Sequence, residues 1–169
     1  SWFITSSIGS SWKKWVDAQG EPLRRFAIWT TLAERHGPDW TRWPLEYRRP
    51  DASGIAAWDP ADFDTEFHSW CQWLVSRQLT EAARSAPDVA LVGDLAVGVD
   101  PGGADAWAYQ DSFALGCRVG APPDPFSATG QDWGLPPFNP QALARARFAP
   151  FIDTVRASLK GANLARARA

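Results

Sequence analysis

The 169-residue sequence contains no methionine, two cysteines and two histidines. Because methionine is missing even at position 1, we expect the sequence to be an excerpt of a longer chain. Cys71 and Cys117 are too few and too isolated for a disulfide framework or a cysteine metal site. His36 and His68 have no Cys, Asp or Glu at ligand spacing, which disfavours a metal centre.

Long hydrophobic runs and a surplus of basic residues are also missing. No apolar run reaches the roughly eighteen residues of a membrane-spanning helix and no cleavable leader is present, so we expect a cytoplasmic protein with reduced thiols and no membrane partner. The sequence has 17 Lys and Arg against 19 Asp and Glu, a net charge of −2. Without a basic stripe to neutralise phosphates, nucleic acid is disfavoured as a partner. Neither common nucleotide-loop motif is present.

Tryptophan is the residue present in excess, with eleven copies. A hydrophobic content of 45% with 21% charged residues is ordinary for a soluble globular protein. We therefore expect one domain, or a piece of one, with most of the indole rings in its core. An indole outside the core offers a flat apolar face and a polar edge, which suits a sugar ring.

Apolar residues at three- and four-residue spacing predict three longer helices. The first spans about Glu21 to His36 and is stopped by Gly37 and Pro38. The second is capped by Asp59 before Pro60 and runs to about Ser85, with an apolar stripe of Phe63, Phe67, Trp70, Leu74 and Val75. The last follows a second cap at Asn139 and Pro140 and ends at Gly161, with apolar positions Phe151, Ile152, Val155 and Leu159.

One strand and several irregular segments complete the expectation. The apolar run from Asp88 to Gly93 predicts a strand buried on both faces, with Asp94 directly after it. A short helix is expected around Asp105 to Gln110. The proline-rich stretch from Val119 to Pro140 is expected to be a stiff loop without helix or strand. No regular structure is predicted for the first twenty residues or the last seven, and at most one helical turn between residues 38 and 59.

Several ordered motifs carry a resemblance to a known family. They are "FHSWCQWL" from Phe67, "GDLAVGV" from Gly93, "ADAWA" from Ala104, "GAPPDPFSATGQDWGLPP" from Gly120 and "APFIDTVRASLKGA" from Ala149. With looser agreement near Leu23 to Pro44, they span roughly Leu23 to Ala162. The sequence resembles a middle segment of the 4-α-glucanotransferases, the amylomaltase or disproportionating-enzyme family of glycoside hydrolases.

The resemblance implies an α/β fold: a partial (β/α)8 barrel with helical insertions, mostly helix and loop in this excerpt. Residues 1–87 would then hold the helical insertion and crossover helices. Residues 88–169 would hold the third barrel strand, the long substrate-side loop and the following helix, with one barrel strand visible. The family's nucleophilic Asp and its acid/base Glu have no counterpart here, because "NLARARA" stands where the nucleophile strand would begin.

The resemblance also implies an activity and a partner. Family members transfer α-1,4-glucan segments between maltooligosaccharides, a step in starch and glycogen metabolism, through a covalent glycosyl-enzyme intermediate. The implied partners are a glucan donor and a glucan acceptor, and no cofactor is implied. Because both reacting carboxyls are missing, we expect this chain alone to be inactive. The alternatives are a non-catalytic carbohydrate-binding fragment and a helical fragment without a ligand.

Five positions match family residues near the substrate. Asp94 matches an acidic residue that supports the catalytic centre, although a carboxylate after a strand could instead cap a turn. We expect the carboxyl end of the strand to present Asp94 toward the same side as the loop from Phe126 to Trp133. In the long loop, Asp124, Phe126, Gln131 and Trp133 match residues that contact the oligosaccharide, the rings by stacking and the polar groups by binding hydroxyls. The alternative is that Phe126 and Trp133 pin the loop to the barrel. Pro125 departs from family members that carry a second aromatic residue there.

Overall fold

The computed structural model describes residues 7–96, 98–159 and 164–168. The chain divides into two compact units, Ser1–Val89 and Ala90–Ala169. The first is helical, and the second combines helices with short strands. Assigning residues 1–87 to a barrel insertion and 88–169 to a barrel segment stays a prediction.

Helices make up the regular structure of the first unit. They are α1 (Ser7–Gln19), α2 (Glu21–His36), α3 (Ser53–Ala56) and α4 (Phe63–Ser85), with 3-10 turns at Trp40–Arg42 and Leu45–Tyr47. Helix α2 has its expected bounds. Helix α1 was not expected, although Trp12, Trp15 and Val16 recur at helical spacing. The expectation of at most one helical turn between residues 38 and 59 was also too low.

Helix α4 begins at a different cap from the one expected. Asp62, not Asp59, is its N-cap: Oδ1 of Asp62 accepts hydrogen bonds from the Thr65 backbone N–H at 3.0 Å and the Thr65 hydroxyl at 2.9 Å. Asp59 instead accepts from the Ala61 N–H at 2.8 Å and closes a turn before the helix. Aspartate is a favoured N-cap residue at either position, so the sequence alone does not show which of the two caps α4. The turn that forms in the folded chain selects Asp62.

The apolar stripe expected to bury α4 is largely exposed. Phe63 is 78% exposed, Phe67 51% and Val75 48%. The buried face carries Thr65, His68, Ser69 and Trp73 instead. Small hydroxyl residues allow α4 to lie close to α2, where the hydroxyls of Thr31 and Thr65 are 3.2 Å apart. The contact between α4 and α2 is thus made largely by polar residues whose hydrogen bonds are satisfied. The sequence pattern had instead predicted large apolar side chains on the buried face of α4.

The core of the first unit is built largely from aromatic and aliphatic residues of α1, α2, α4 and the connector. Its buried apolar side chains are Trp12, Leu23, Ala27, Ile28, Leu32, Trp40, Trp43, Ile55 and Trp73. Trp43 is 1% exposed, and its indole N–H donates to the Gly37 carbonyl at 2.8 Å. This bond ties the connector to the end of α2. Among the tryptophans whose burial the structure describes, Trp133 has the exposed side chain and the others are buried or half-buried.

A parallel strand pair organises the second unit. Strands β1 (Val92–Ala96) and β4 (Leu164–Arg168) pair in parallel, with Asp94 opposite Arg166. The strand thus starts later than the expected Asp88, and Asp94 is its third residue, not the residue after it. Val89 and Val92 are each 56% exposed, so the run is not buried on both faces. The expectation of one visible strand and an irregular tail was wrong, because β4 lies in that tail. Its alternation of Ala and Arg shows no strand pattern until the partner strand is known.

The long proline-rich stretch folds as a hairpin, contrary to expectation. Strands β2 (Val119–Ala121) and β3 (Gln131–Leu135) pair antiparallel, with an irregular register between Val119 and Gly120. The prolines at 122, 123 and 125 lie in the connecting turn and the next two follow β3, so none interrupts the paired residues.

Three short helical elements and a longer helix complete the second unit. They are α5 (Ala104–Ala108), a 3-10 turn at Gln110–Ser112, α6 (Pro140–Arg145) and α7 (Ala149–Leu159). The cap at Asn139 is confirmed, since its Oδ1 accepts from the backbone N–H groups of Gln141 and Ala142, each at 3.1 Å. The single helix expected after this cap was wrong: the chain forms two helices, because Arg147 and Phe148 between them take left-handed backbone angles, φ 51° and 60°. Helix α7 contacts both β1 and β4. The expected helix end at Gly161 lies outside the described residues.

Candidate functional site

The tip of the hairpin is held by Asp124. Its Oδ1 accepts hydrogen bonds from the backbone N–H groups of Phe126 at 2.8 Å and Ser127 at 2.7 Å. Asp124 and Ser127 also exchange backbone hydrogen bonds of 3.0 and 3.2 Å. This tight turn presents the Phe126 side chain, which is 99% exposed. Phe126 therefore does not pin the loop within the described part of the chain.

Gln131 and Trp133 form a side-chain pair on strand β3. The indole N–H of Trp133 donates to Oε1 of Gln131 at 2.9 Å, and Trp133 is 38% exposed. Because this bond already satisfies the polar edge of the indole, the ring presents mainly its apolar faces. The same bond restricts the ring's rotation and keeps the Gln131 amide beside it.

Asp132 shapes the strand around that pair. Gly120 of β2 lies opposite Asp132, and Val119 opposite Leu135, so Trp133 and Gly134 fall in the irregular step of the register. Oδ1 of Asp132 accepts from the Gly134 N–H at 2.9 Å, while Oδ2 lies 3.2 Å from Nε of Arg118. Bulges of this kind re-aim side chains and occur near active sites.

Stacked aromatic rings fix the base of the hairpin. The rings of Phe113 and Phe138 lie 4.4 Å apart and nearly parallel, and Phe151 of α7 meets Phe138 edge-on at 6.1 Å. Backbone bonds from Ala114 N–H to Pro137 O and from Asn139 N–H to Ser112 O close the same region at 2.9 and 2.8 Å. The hairpin thus projects from a packed base.

Asp94 lies in the other sheet of the same unit. Asp94 is exposed, while the next residue, Leu95, is only 6% exposed, as expected for neighbours on opposite faces of a strand. The structure therefore groups Asp124 and Phe126 at the hairpin tip and Gln131 with Trp133 on β3. That Asp94 faces the same side as Trp133 stays a prediction.

Asp105 is a carboxyl that the sequence reasoning did not single out, although it lies in the matching "ADAWA" segment. Surrounding protein atoms desolvate this carboxyl and raise its pKa, although the residue keeps an exposed surface on α5. A raised carboxyl pKa is common at functional sites but is not specific to them. Desolvation has no sequence pattern, so only the fold reveals it.

The described residues contain no obvious metal or membrane element. Within residues 7–96, 98–159 and 164–168, no three His, Cys, Asp or Glu side chains come together as a metal site. Among the helices described there, none is both long and apolar enough to cross a membrane.

Comparison with known proteins places these features in a family. A 4-alpha-glucanotransferase family profile matches residues 5–167. A 4-alpha-glucanotransferase from Mycobacterium bovis is 45% identical over 153 residues, covering 88% of this chain and 21% of the relative. Another from Thermus thermophilus is 31% identical, covering 85% of this chain and 31% of the relative. The chain spans about a fifth to a third of the length of these relatives.

Solved structures agree with the sequence matches. Amylomaltase from Corynebacterium glutamicum superposes with a TM-score of 0.74 at 33% identity, over 94% of this chain and 21% of the other. Amylomaltase from Streptococcus agalactiae in complex with acarbose gives 0.83 at 18% identity, over 98% and 36%, and supports the fold alone. Since the family profile covers nearly all of its residues, this chain belongs to the 4-alpha-glucanotransferase family.

Proposed function

We propose that this chain is a segment of an enzyme that transfers α-1,4-glucan units between maltooligosaccharides. The observation that carries the proposal is the hairpin, whose family-matching residues present an exposed ring at the tip and a hydrogen-bonded Gln131–Trp133 pair on β3. Exposed, oriented aromatic rings beside amide and carboxylate groups suit a sugar, which has an apolar face and a hydroxyl rim.

Each hairpin residue has a distinct role in this proposal. Trp133 stacks on a sugar ring, and Gln131 both orients the indole and offers its amide N–H groups to a hydroxyl. Phe126 contacts the acceptor from the tip. Asp124 is mainly a positioning residue, because its Oδ1 already accepts two backbone N–H groups. A turn ordered in advance lowers the entropy cost of binding.

The proposed chemistry is retaining double displacement. It requires a nucleophilic carboxylate and a second carboxyl about 5 Å away that protonates the leaving oxygen and then deprotonates the acceptor. We propose that other parts of the complete protein supply both groups, and that Asp94 stabilises the charge that develops between them.

Cys71 and Cys117 are not disulfide-bonded, which supports placing the enzyme in the reducing cytoplasm.

The second unit fits a segment of a (β/α)8 barrel. Strands β1 and β4 are parallel neighbours, and α7 precedes β4 and contacts both strands. Parallel neighbours require a crossover connection, usually a helix, and this repeating unit builds the barrel. The hairpin belongs to the connection after β1, and in barrel enzymes these connections form the active site.

Transfer by the complete protein tests this function. Incubation with maltotriose is expected to yield glucose and longer maltooligosaccharides, separated by chromatography. Asp94→Asn should lower the rate by about tenfold or more, because it removes a charge from the reacting centre. Binding of maltooligosaccharides without any transfer would contradict the enzyme and favour a carbohydrate-binding role.

A further inference from the structure

A groove of about 620 Å³ lies in the first unit, where α1, α2 and α4 meet. It is lined from α1 by Trp12, Lys13, Val16 and Asp17, from α2 by Glu21, Arg24 and Ile28, and from α4 by Thr65, Glu66 and Ser69, with Gly20, Trp58 and Pro60 between helices. A volume in this range is typical of pockets for small ligands. The hairpin belongs to the other unit and contributes no lining residue.

The floor of the groove combines apolar and hydroxyl side chains and includes an unused donor. Trp12 and Ile28 are buried there beside the hydroxyl residues Thr65 and Ser69. Trp12 is 7% exposed, and its indole N–H has no hydrogen-bond acceptor in the described part of the chain. Buried polar groups nearly always have a partner, so a missing acceptor requires an explanation. An oxygen atom of a bound molecule would supply one.

The rim carries exposed charges of both signs. Lys13, Asp17 and Glu66 are exposed and take part in no ion pair among the described residues. Glu21 is occupied by Arg24 at 3.3 Å and Arg25 at 3.0 Å. A strongly charged ligand would meet like charge on such a rim. A neutral ligand rich in hydroxyls can donate to the carboxylates and accept from the ammonium group.

One aromatic wall of the groove is fixed in place. The Trp58 indole N–H donates to the Thr65 hydroxyl at 3.1 Å, and the Arg35 guanidinium lies over its ring at 5.5 Å from the centroid. Arg24 is anchored by a hydrogen bond to the Ile55 carbonyl at 3.2 Å. Little ordering is therefore needed when a ligand binds, which favours affinity.

We propose that this groove is a second, non-catalytic binding site for a neutral glucan chain. The inference rests on the proposed function for the identity of the sugar, since the groove by itself selects any neutral polyhydroxylated ligand. The Trp12 and Ile28 side chains receive the face of a sugar ring, the Trp12 N–H donates to a ring or hydroxyl oxygen, and the rim charges bind hydroxyls. A long glucan is thereby held at a site in the helical unit.

Affinity electrophoresis in gels containing soluble amylose tests the groove. The complete protein is used with Trp133→Ala as background, so that binding by the hairpin is reduced. Trp12→Phe removes the donor and keeps an aromatic ring, and it is expected to weaken retention by about fivefold, the usual effect of one hydrogen bond. Trp29→Phe is the matched control, because its indole N–H is also buried without an acceptor but lies outside the groove.

A rim variant keeps the test independent of folding. Asp17→Ala with Glu66→Ala alters two exposed side chains and should also weaken retention several-fold. Unchanged retention in both groove variants, or equal losses in Trp12→Phe and Trp29→Phe, would overturn the proposal. A lower melting temperature of the rim variant with unchanged retention would also overturn the proposal. Such a result would mean that another part of the complete protein packs into the groove.

The same samples separate the two proposals. If the protein does not transfer glucan from maltotriose but Trp12→Phe still weakens retention, the groove stands and the proposed enzyme fails. If transfer occurs and no groove variant affects retention, the enzyme stands and the groove fails. A gel containing dextran measures whether retention depends on the α-1,4 linkage, and equal loss of retention there would overturn the assignment to this glucan.

Discussion

Trp133 combines a partly exposed ring with an indole N–H that is already bound to Gln131. In the complete protein, we expect Trp133→Ala to weaken the use of sugar acceptors more than it destabilises the fold. Loss of a stacked ring costs about 1 kcal/mol of binding, roughly a fivefold rise in acceptor KM. Initial transfer rates at varied acceptor concentration, together with thermal unfolding, measure both effects.

Trp133→Phe is the matched control for this ring. It keeps an aromatic face and loses the hydrogen bond to Gln131, so it should retain most acceptor binding if stacking is the main contribution. A large fall in melting temperature for Trp133→Ala, with acceptor kinetics per folded molecule unchanged, would instead assign the ring a packing role.

Asp62 links α4 to α2 by charge. Its Oδ2 lies 2.8 Å from Nη2 of Arg35. Partial burial acts to raise the pKa of Asp62, but hydrogen bonds from Arg35 and Thr65 outweigh it, and the pKa lies below its ordinary value. The ionised carboxylate therefore stabilises the fold above the ordinary pKa of an unfolded aspartate, about 3.9, and this contribution is lost as the pH falls through the lowered folded-state pKa.

Asp62→Asn tests this pH dependence. Asparagine also caps helices, so the variant removes mainly the charge. Because Arg35 is 41% exposed, screening limits the expected loss at pH 7 to about 1 kcal/mol or less. Urea unfolding followed by tryptophan fluorescence should show the difference from the parent protein at pH 7 and a smaller one at pH 3. Asp88→Asn, at an exposed position, is the control, and a loss of the same size at both pH values would contradict the ion pair.

At the scale of the element, the hairpin depends on a close approach between its two strands. A Cβ at Gly120 would overlap the Gln131 backbone carbonyl. We expect Gly120→Ala to separate the strands and to destabilise the hairpin by about 1–3 kcal/mol. Hydrogen–deuterium exchange of the β3 amides, with mass-spectrometric detection, measures the change.

Gly116→Ala provides the matched control, because a Cβ there meets no atom within 4 Å. Equal exchange of the β3 amides in both glycine variants would contradict the role of this close approach.

The elements differ in how far the sequence could predict them. Helix α2 and the Asn139 cap follow from local signals, spacing and capping chemistry, and both are confirmed. Strand β4 could not be predicted locally, since its partner β1 is distant in sequence. Strands β2 and β3 are close in sequence, but the prolines and glycines in and around them obscure the strand pattern. The candidate site residues were identified by their motif, but the Gln131–Trp133 bond and the desolvated Asp105 required the fold.

At the scale of the whole molecule, α4 has apolar residues on a face that nothing covers in the described part of the chain. Phe63, Phe67, Val75 and Leu79 are each between 46% and 78% exposed. We therefore expect this chain, expressed alone, to be partly ordered or prone to aggregation and to transfer no glucan. Orientation and a positioned acid/base provide much of the rate in such chemistry.

Maltotriose incubation and light scattering of the purified chain check this expectation. Transfer that copurifies with the chain and vanishes in Asp94→Asn would mean that the reacting groups lie within these residues. A monodisperse monomer would show that the exposed face of α4 is compatible with independent folding.

The parallel pairing of β1 with β4 also sets an order of events during synthesis. Roughly 70 residues separate the two strands along the chain, so their pairing closes a long loop, and such contacts form slowly. At about 5–20 residues per second, a ribosome needs several seconds to make the residues between them. During that interval β1 has no β4 to pair with, whereas the helices of the first unit, made earlier and held by shorter-range contacts, already have their partners. Nascent chains of this segment therefore pass through a stage with a folded helical unit and an open strand edge, the stage at which a chaperone would bind.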